Sequence, residues 1–123
     1  MRQLSCEDIM YYTYIIKCVN GNLYTGITTD VKRRFCEHMS GSKTCAKYTR
    51  SNPPESVEAV WSSYTRALAS KLECFIKTLS RKNKLELISN PQILTDKYSD
   101  CIMADEYLFE NDIIRDVNKK TSH

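Results

Sequence analysis

The sequence contains no long apolar run. Its hydrophobic stretches extend over only a few residues, whereas a helix that spans a bilayer needs about 20 consecutive apolar residues. The first ten residues, MRQLSCEDIM, also lack the apolar segment of a secretory signal peptide. We therefore predict a cytoplasmic protein without membrane contact.

Regular cysteine spacing is absent as well. The six cysteines, at positions 6, 18, 36, 45, 74 and 101, form no CxxC pair. A chain of 123 residues that is 41% hydrophobic can build a core without disulfides, so we expect free thiols in a reducing compartment. The sequence also lacks a zinc-finger or helix-turn-helix pattern, and recognition of a nucleic acid by direct base readout is therefore not expected.

Glycine and proline are scarce, with three of each, so the places where they occur are informative. Asn20-Gly21 separates two runs of β-branched and aromatic residues, 11–16 and 23–28. This dipeptide is the strongest short-range signal for a β-hairpin, because glycine adopts positive φ without strain and asparagine tolerates it. The sequence predicts two antiparallel strands joined by a tight turn.

Side-chain alternation along these strands brings tyrosines together. Tyr12 and Tyr14 share one face of the first strand, and Tyr24 and Gly26 share one face of the second. Two phenols can therefore converge on one side of the hairpin.

A basic helix is predicted directly after the hairpin, over residues 31–39, with Asp30 as its N-cap. Its first turns carry three consecutive cations, Lys32, Arg33 and Arg34. Arg34 and His38 are four residues apart and therefore lie on the same face of the helix.

The distribution of charge indicates a polyanionic partner. Residues 11–90 contain thirteen basic and six acidic side chains, a net charge of +7, whereas the two ends of the chain together carry −4. A basic body suits a nucleic acid, because each phosphate contact releases counterions. An ordinary solvated surface is the alternative interpretation of the charge alone.

The middle of the chain combines an irregular loop, a strand over 56–62 and helices over 64–79 and 81–89. The loop, residues 40–55, carries cations and an aromatic side chain that suit the gripping of a phosphate backbone and the stacking of a base: Lys43, Lys47, Tyr48 and Arg50. Glu73 lies on the longer helix, beside its apolar stripe. Taken alone, Glu73 is interpreted as the i,i+4 partner of Lys77.

The C-terminal segment, residues 91–123, is acidic. An amphipathic helix is predicted over residues 105–117, because apolar residues recur there at helical spacing among five acids. This helix could cap the domain, bind a protein partner, or fold over the basic face as a mimic of nucleic acid.

The hairpin and the basic helix together resemble the GIY-YIG nuclease superfamily, which is named after two tripeptides on a hairpin. The tripeptides correspond to residues 12–14 (YTY) and 24–26 (YTG). The arginine, histidine and metal-binding glutamate of the family correspond to Arg34, His38 and Glu73. The runs LYTGIT, DVKRR and AKYTR are most similar to those of the small stand-alone bacterial members, and the resemblance covers about residues 11–88.

The resemblance implies hydrolysis of a phosphodiester bond. Such a reaction needs a nucleophilic water, a proton acceptor, and neutralisation of charge on the phosphoryl oxygens and the departing 3′ oxygen. Arg34 would bind phosphate oxygens bidentately. Glu73 would hold Mg²⁺ or Mn²⁺, which needs only one or two protein carboxylates.

The resemblance also implies roles for the other residues of the motif. Tyr14 or Tyr24 would orient or deprotonate the attacking water, and the sequence leaves open which. His38 would hydrogen-bond a phosphate or assist proton movement. Gly26 would let the substrate backbone approach where a side chain would block it, and the cations of the first helix and the loop would bind substrate.

Two departures from the family pattern weaken the expected activity. The first tripeptide has Tyr12 and Thr13 in place of glycine and isoleucine, and Ile27 stands where some branches have a lysine. A missing cation makes a lowered phenol pKa harder to achieve. Slow or structure-selective cleavage is therefore expected rather than fast, sequence-specific cleavage.

We predict an α/β (α+β) fold of the GIY-YIG endonuclease type, with a small three-stranded antiparallel or mixed sheet flanked by helices. Residues 1–10 form a lead-in, 11–90 the nuclease-like domain and 91–123 the extension. The predicted function is a metal-dependent DNA endonuclease that nicks damaged or branched DNA in repair or recombination. The alternatives are a nucleic-acid-binding module with little activity, and a protein-interaction adaptor that acts through the C-terminal helix.

Overall fold

An antiparallel sheet of four strands, in the order β2-β1-β3-β4, organises the protein. The structure is a computed structural model that describes residues 9–40 and 52–121. The predicted substrate-binding residues of the loop lie outside the described residues: Lys43, Lys47, Tyr48 and Arg50. The α+β fold is confirmed, but the predicted number of three strands is one too few.

The hairpin is formed as predicted, by β1 (Tyr11–Cys18) and β2 (Leu23–Thr28). Its turn is closed where Gly21, at φ 86°, donates its N–H to the Cys18 carbonyl over 2.8 Å. The resulting register sets Tyr14 directly opposite Gly26. The turn therefore fixes the facing positions of Tyr14 and Gly26, two residues of the predicted site.

The central part of the sheet is completed by β3 (Pro54–Ser63), which pairs with the other edge of β1. The register shifts between Ile15 and Ile16, and this irregularity changes the alternation along β3. Val57 consequently packs with Val60 on one face. Simple alternation would have placed it on the other.

The fourth strand, β4 (Leu108–Phe109), corrects the predicted helix over residues 105–117. Its residues pair with β3, and the Phe109 ring packs against Trp61 at a centroid distance of 5.4 Å. A 3-10 turn (Ala104–Glu106) precedes it, and the helix begins only at Asn111. Pairing with a strand distant in sequence overrides the local helical pattern.

Helices cover both faces of the sheet. The helix α1 (Val31–Ser40) and the C-terminal helix α5 (Asn111–Thr121) pack on one face. Residues of α2 (Arg66–Thr78), α3 (Arg81–Ser89) and α4 (Ile93–Asp96) pack on the other. Within the described ranges, none of these helices has the length and apolar character needed to cross a bilayer.

The C-terminal segment is an integral part of this packing. Val117 is only 2% exposed and belongs to the core on the α1 face. The Asn118 side chain is bonded to β3 twice, because its amide donates to the Val57 carbonyl and its oxygen accepts from the Val57 N–H, each over 2.8 Å. These contacts favour the cap among the three interpretations of the acidic helix.

Candidate active site

The phenol of Tyr14 is the centre of a polar cluster on the α1 face. Tyr14 is only 3% exposed, and its hydroxyl lies 3.0 Å from His38 Nε2. The hydroxyl is also hydrogen-bonded to the Arg34 side chain. Because a guanidinium can only donate, the Tyr14 oxygen accepts from Arg34 and its O–H is available to donate to His38.

Helix α1 carries Arg34 and His38, the two residues that interact with the Tyr14 phenol. Asp30 caps the helix by accepting a hydrogen bond from the Arg33 N–H over 3.1 Å, as predicted. The buried Phe35 fixes the helix on the sheet. Arg34 and His38, one turn apart, then point at the same phenol.

Glu37 is a member of the site that the sequence reasoning missed. Its carboxylate accepts a hydrogen bond from Arg34 Nη1 over 2.9 Å, and both side chains are partly buried. Burial acts to lower the pKa of Arg34, but the hydrogen bonds to Glu37 and Tyr14 outweigh it and raise that pKa. The spacing i,i+3 in the helix was the available signal.

The second tyrosine of the motif lies against the same cluster. The Tyr24 ring is 6.5 Å from the Tyr14 ring and 5.5 Å from the His38 ring, measured between centroids. Tyr24 is half-buried, whereas Tyr14 is buried. The expected convergence of two phenols is therefore present, and Tyr24 is the more accessible of the two.

Gly26 is required for a reason other than the expected one. A Cβ atom built on Gly26 would lie 2.6 Å from the Tyr14 hydroxyl oxygen, far inside contact distance. The space that was predicted to admit the substrate backbone is therefore filled by the phenol. Glycine at this position allows Tyr14 to reach His38 and Arg34.

Burial sets the protonation of the cluster. It lowers the pKa of His38 to about 4, helped by the charge of Arg34 and opposed by Glu37. It also raises the pKa of Tyr14, together with the charges of Tyr24 and Glu73, against the lowering effect of Arg34. His38 is only 1% exposed, so the predicted contact of His38 with a phosphate does not fit this geometry, whereas a role in proton movement does.

Glu73 lies on α2, in the helix layer that covers the face of the sheet opposite to α1. Its charge makes a small contribution to the raised pKa of Tyr14. The i,i+4 partner predicted for it is present, because Lys77 Nζ lies 3.3 Å from Glu73 Oε2. No set of three or more His, Cys, Asp or Glu side chains suited to a metal occurs in the part of the chain that the structure describes. A single carboxylate that keeps most of the metal's waters fits Mg²⁺ or Mn²⁺.

The two other cations of α1 have exposed side chains, and they lie outside the polar cluster. Lys32 lines a hollow of about 440 Å³ between α1 and α5, in which Asp30, Asp112 and Asp116 also take part. Arg33 is exposed. Their predicted contact with substrate stays a prediction, and the carboxylates near Lys32 make its side of the helix less suited to a polyanion.

Comparison with known proteins places these residues in a family. The family model described as the GIY-YIG catalytic domain matches residues 10–86. A UPF0213 protein of Xanthomonas axonopodis pv. citri is 45% identical over 75 residues, which are 61% of this chain and 72% of that protein. A UPF0213 protein of Cupriavidus necator is 47% identical over 77 residues, or 63% and 82%. The solution NMR structure of the UPF0213 protein BH0048 from Bacillus halodurans is 40% identical, with a TM-score of 0.43, and the match covers 74% of this chain and 98% of that one.

Proposed function

The chain belongs to the GIY-YIG family, a family of nuclease type, and on this premise we propose that it is a metal-dependent endonuclease that hydrolyses phosphodiester bonds in DNA. Nicking of branched or damaged DNA, in repair or recombination, is the activity that we assign to it. The proposed compartment is the cytoplasm.

One observation supports this proposal above the others. A phenol, a guanidinium and a neutral imidazole form a continuous chain of hydrogen bonds, Arg34 to Tyr14 to His38, and the charge of Glu73 reaches the same phenol. These groups come from a strand and two helices. Packing alone does not require Arg34, Tyr14 and His38 to meet there, because buried polar groups cost free energy unless they are paired.

The proton of the attacking water is the first requirement of the reaction. Because its pKa is raised, Tyr14 stays protonated at neutral pH and cannot act as a preformed phenolate. Through the small part of the residue that is exposed, Tyr14 would accept the proton of the water while it passes its own proton to His38 Nε2, 3.0 Å away. Because its pKa is about 4, His38 is a neutral imidazole at neutral pH, which is the form that can take up a proton.

The phosphate is the second requirement. Arg34 would donate to its non-bridging oxygens, with Glu37 holding the guanidinium in place. The water oxygen forms a bond to phosphorus, the bond to the 3′ oxygen breaks, and that oxygen takes up a proton from solvent. Glu73 would hold the divalent cation, which supplies charge neutralisation at the phosphoryl and leaving oxygens. Tyr24, the more accessible phenol, would orient the water.

A second candidate function is a binding module of the same fold with little activity. The buried, protonated Tyr14 and the pairing of Arg34 with Glu37 favour it, because both reduce the reactivity of the site. The adaptor is the weaker alternative, since the apolar side of α5 is already covered by the core of this chain.

Plasmid nicking tests the proposal. Purified protein is incubated with supercoiled plasmid and with branched oligonucleotides, in Mg²⁺, in Mn²⁺ or in EDTA. We expect nicking that requires the cation and falls by at least roughly 100-fold in Arg34→Lys, which keeps the charge but loses the fork. Glu73→Gln should show a similar loss.

A neighbouring substitution provides the matched control. Lys77→Gln removes the ion-pair partner of Glu73 and leaves the carboxylate in place, so nicking should persist. Binding of DNA without nicking by the parent protein, in all three conditions, would favour the binding module. Equal nicking by the parent and Arg34→Lys would contradict the assignment of the site.

A further inference from the structure

A basic cleft lies at the edge of the sheet, outside the polar cluster. It has a volume of about 280 Å³ and is lined by the hairpin residues Asn22 and Leu23 and by Arg81 and Lys84 of α3. The cleft therefore joins the first turn of α3 to the start of β2. Its chemical character is set by two long cationic side chains.

The cations of α3 have no acidic partners in the described part of the chain. Arg81, Lys82 and Lys84 crowd one turn of the helix, and no ion pair joins any of them to a carboxylate there. The one acid of this helix, Glu86, is paired with Lys97 at 3.1 Å. Like charges at this spacing are unfavourable for a helix, and an external polyanion would relieve that repulsion.

The cleft and the candidate active site share one strand. Leu23 lines the cleft, and the next residue, Tyr24, packs against Tyr14 and His38. Adjacent residues of a strand point to opposite faces and are about 3.4 Å apart along it, so Leu23 and Tyr24 lie on the two sides of the same sheet edge. Because β2 is the edge strand, a DNA strand at Tyr24 can continue around this edge to α3.

We propose that the cleft formed by Asn22, Leu23, Arg81 and Lys84 binds the phosphate backbone of the DNA substrate a few nucleotides from the cleaved bond. This inference rests on the proposed function for the identity of the polyanion. It assigns α3 to substrate binding, and it makes the edge of β2 the path of the strand.

The test is DNA binding in EDTA, so that cleavage plays no part. A fluorescently labelled branched oligonucleotide is titrated with the parent protein and with Arg81→Gln/Lys84→Gln at several salt concentrations. We expect the double variant to bind roughly tenfold more weakly and the slope of log K against log salt to decrease in magnitude by about 2. Thermal melting of each variant verifies that it is folded.

Two matched controls separate position from net charge. Arg115→Gln/Lys119→Gln removes the same charge from exposed positions of α5, on the other face of the sheet, and should change affinity by less than about twofold. Arg81→Lys/Lys84→Arg keeps both charges and should keep the slope. Equal effects of the two charge-removing variants, or no effect of either, would overturn the inference.

The outcome for the cleft is independent of the outcome for cleavage. If the parent protein fails to nick in Mg²⁺ or Mn²⁺ but its binding in EDTA depends on Arg81 and Lys84, the cleft stands and the nuclease assignment fails. If nicking depends on Arg34 but binding is unchanged by substitution of Arg81 and Lys84, the nuclease assignment stands and the cleft proposal fails.

Discussion

The two faces of the sheet use burial for different ends. On the α2 face, Ile15 packs with aliphatic and aromatic side chains such as Leu87, both of them 0% exposed. On the α1 face, the buried Tyr14 and His38 are bonded to each other among apolar neighbours. Burial on the α2 face thus stabilises the fold, whereas burial on the α1 face shifts the pKa values of Tyr14 and His38.

Adjacent residues of one strand make this division. Tyr14 and Ile15 follow each other in β1 and point to opposite faces. A substitution at one position should therefore affect catalysis, and at the next it should affect folding. The following substitutions test that separation.

The largest effect is expected for Tyr14→Phe. Loss of the hydroxyl removes the link between Arg34 and His38, and the rate of nicking should fall by about 10²- to 10⁴-fold. Single-turnover nicking of supercoiled plasmid measures it. Tyr12→Phe, two residues away on the same face of β1, is the control and should keep most of the activity. Similar losses in both variants would show that the cluster is not the site of chemistry.

On the other face, Leu87→Ala should reduce stability and leave activity intact. Leu87 is 0% exposed in the core of the α2 face, and removal of a buried leucine side chain costs about 2–5 kcal/mol. Urea denaturation measures the free energy of unfolding. Nicking assayed well below the melting temperature should be unchanged, and a loss of activity in the folded variant would contradict the separation of the two faces.

Stability should depend on pH through His38. Its pKa is about 4 in the folded protein and about 6.5 when unfolded, so the unfolded state binds more protons between these values. The contribution is fully present above pH 6.5 and is lost as the pH falls towards 4, on the order of 3 kcal/mol.

His38→Gln isolates this contribution, because the amide does not titrate. The only other histidine of the sequence is the last residue, His123. The difference in unfolding free energy between parent and variant, measured from pH 7 to pH 4.5, should shrink as the pH falls. A constant difference would mean that His38 is not buried as a neutral imidazole.

The smallest effect is expected for Asn118→Ala, which tests whether α5 belongs to the domain. The variant loses both hydrogen bonds to the backbone of Val57 and should be less stable by about 2 kcal/mol. Asp116→Ala, at an exposed position of α5, should change stability by less than about 0.5 kcal/mol. If the two variants are equally stable, the extension is only loosely attached.

Local signals account for what the sequence predicted correctly. The Asn20-Gly21 turn defined both strands of the hairpin, and Asp30 marked the start of α1. In each case the deciding interaction lies within four residues along the chain. The role of Glu73 stays a prediction that rests on the resemblance to a family, because no local pattern distinguishes this residue from a surface acid.

Nonlocal contacts account for what the sequence did not predict. Phe109 is part of a strand because Trp61, far away in the chain, pairs with it. Gly26 is explained by the phenol opposite it rather than by its neighbours. The spacing of Arg34 and Glu37 in the helix indicated that they could pair. It did not reveal that both side chains are partly buried, which is why the pair matters for the site.

The amide of Asn118 has a further consequence for the association of chains. It occupies the donor and the acceptor that Val57 presents on the side of β3 facing away from β1. A strand from a second molecule would need those same groups to extend the sheet. Removal of α5 would therefore expose unpaired backbone groups on the edge of β3. We expect a truncated protein to aggregate by pairing of strands from different molecules before it unfolds.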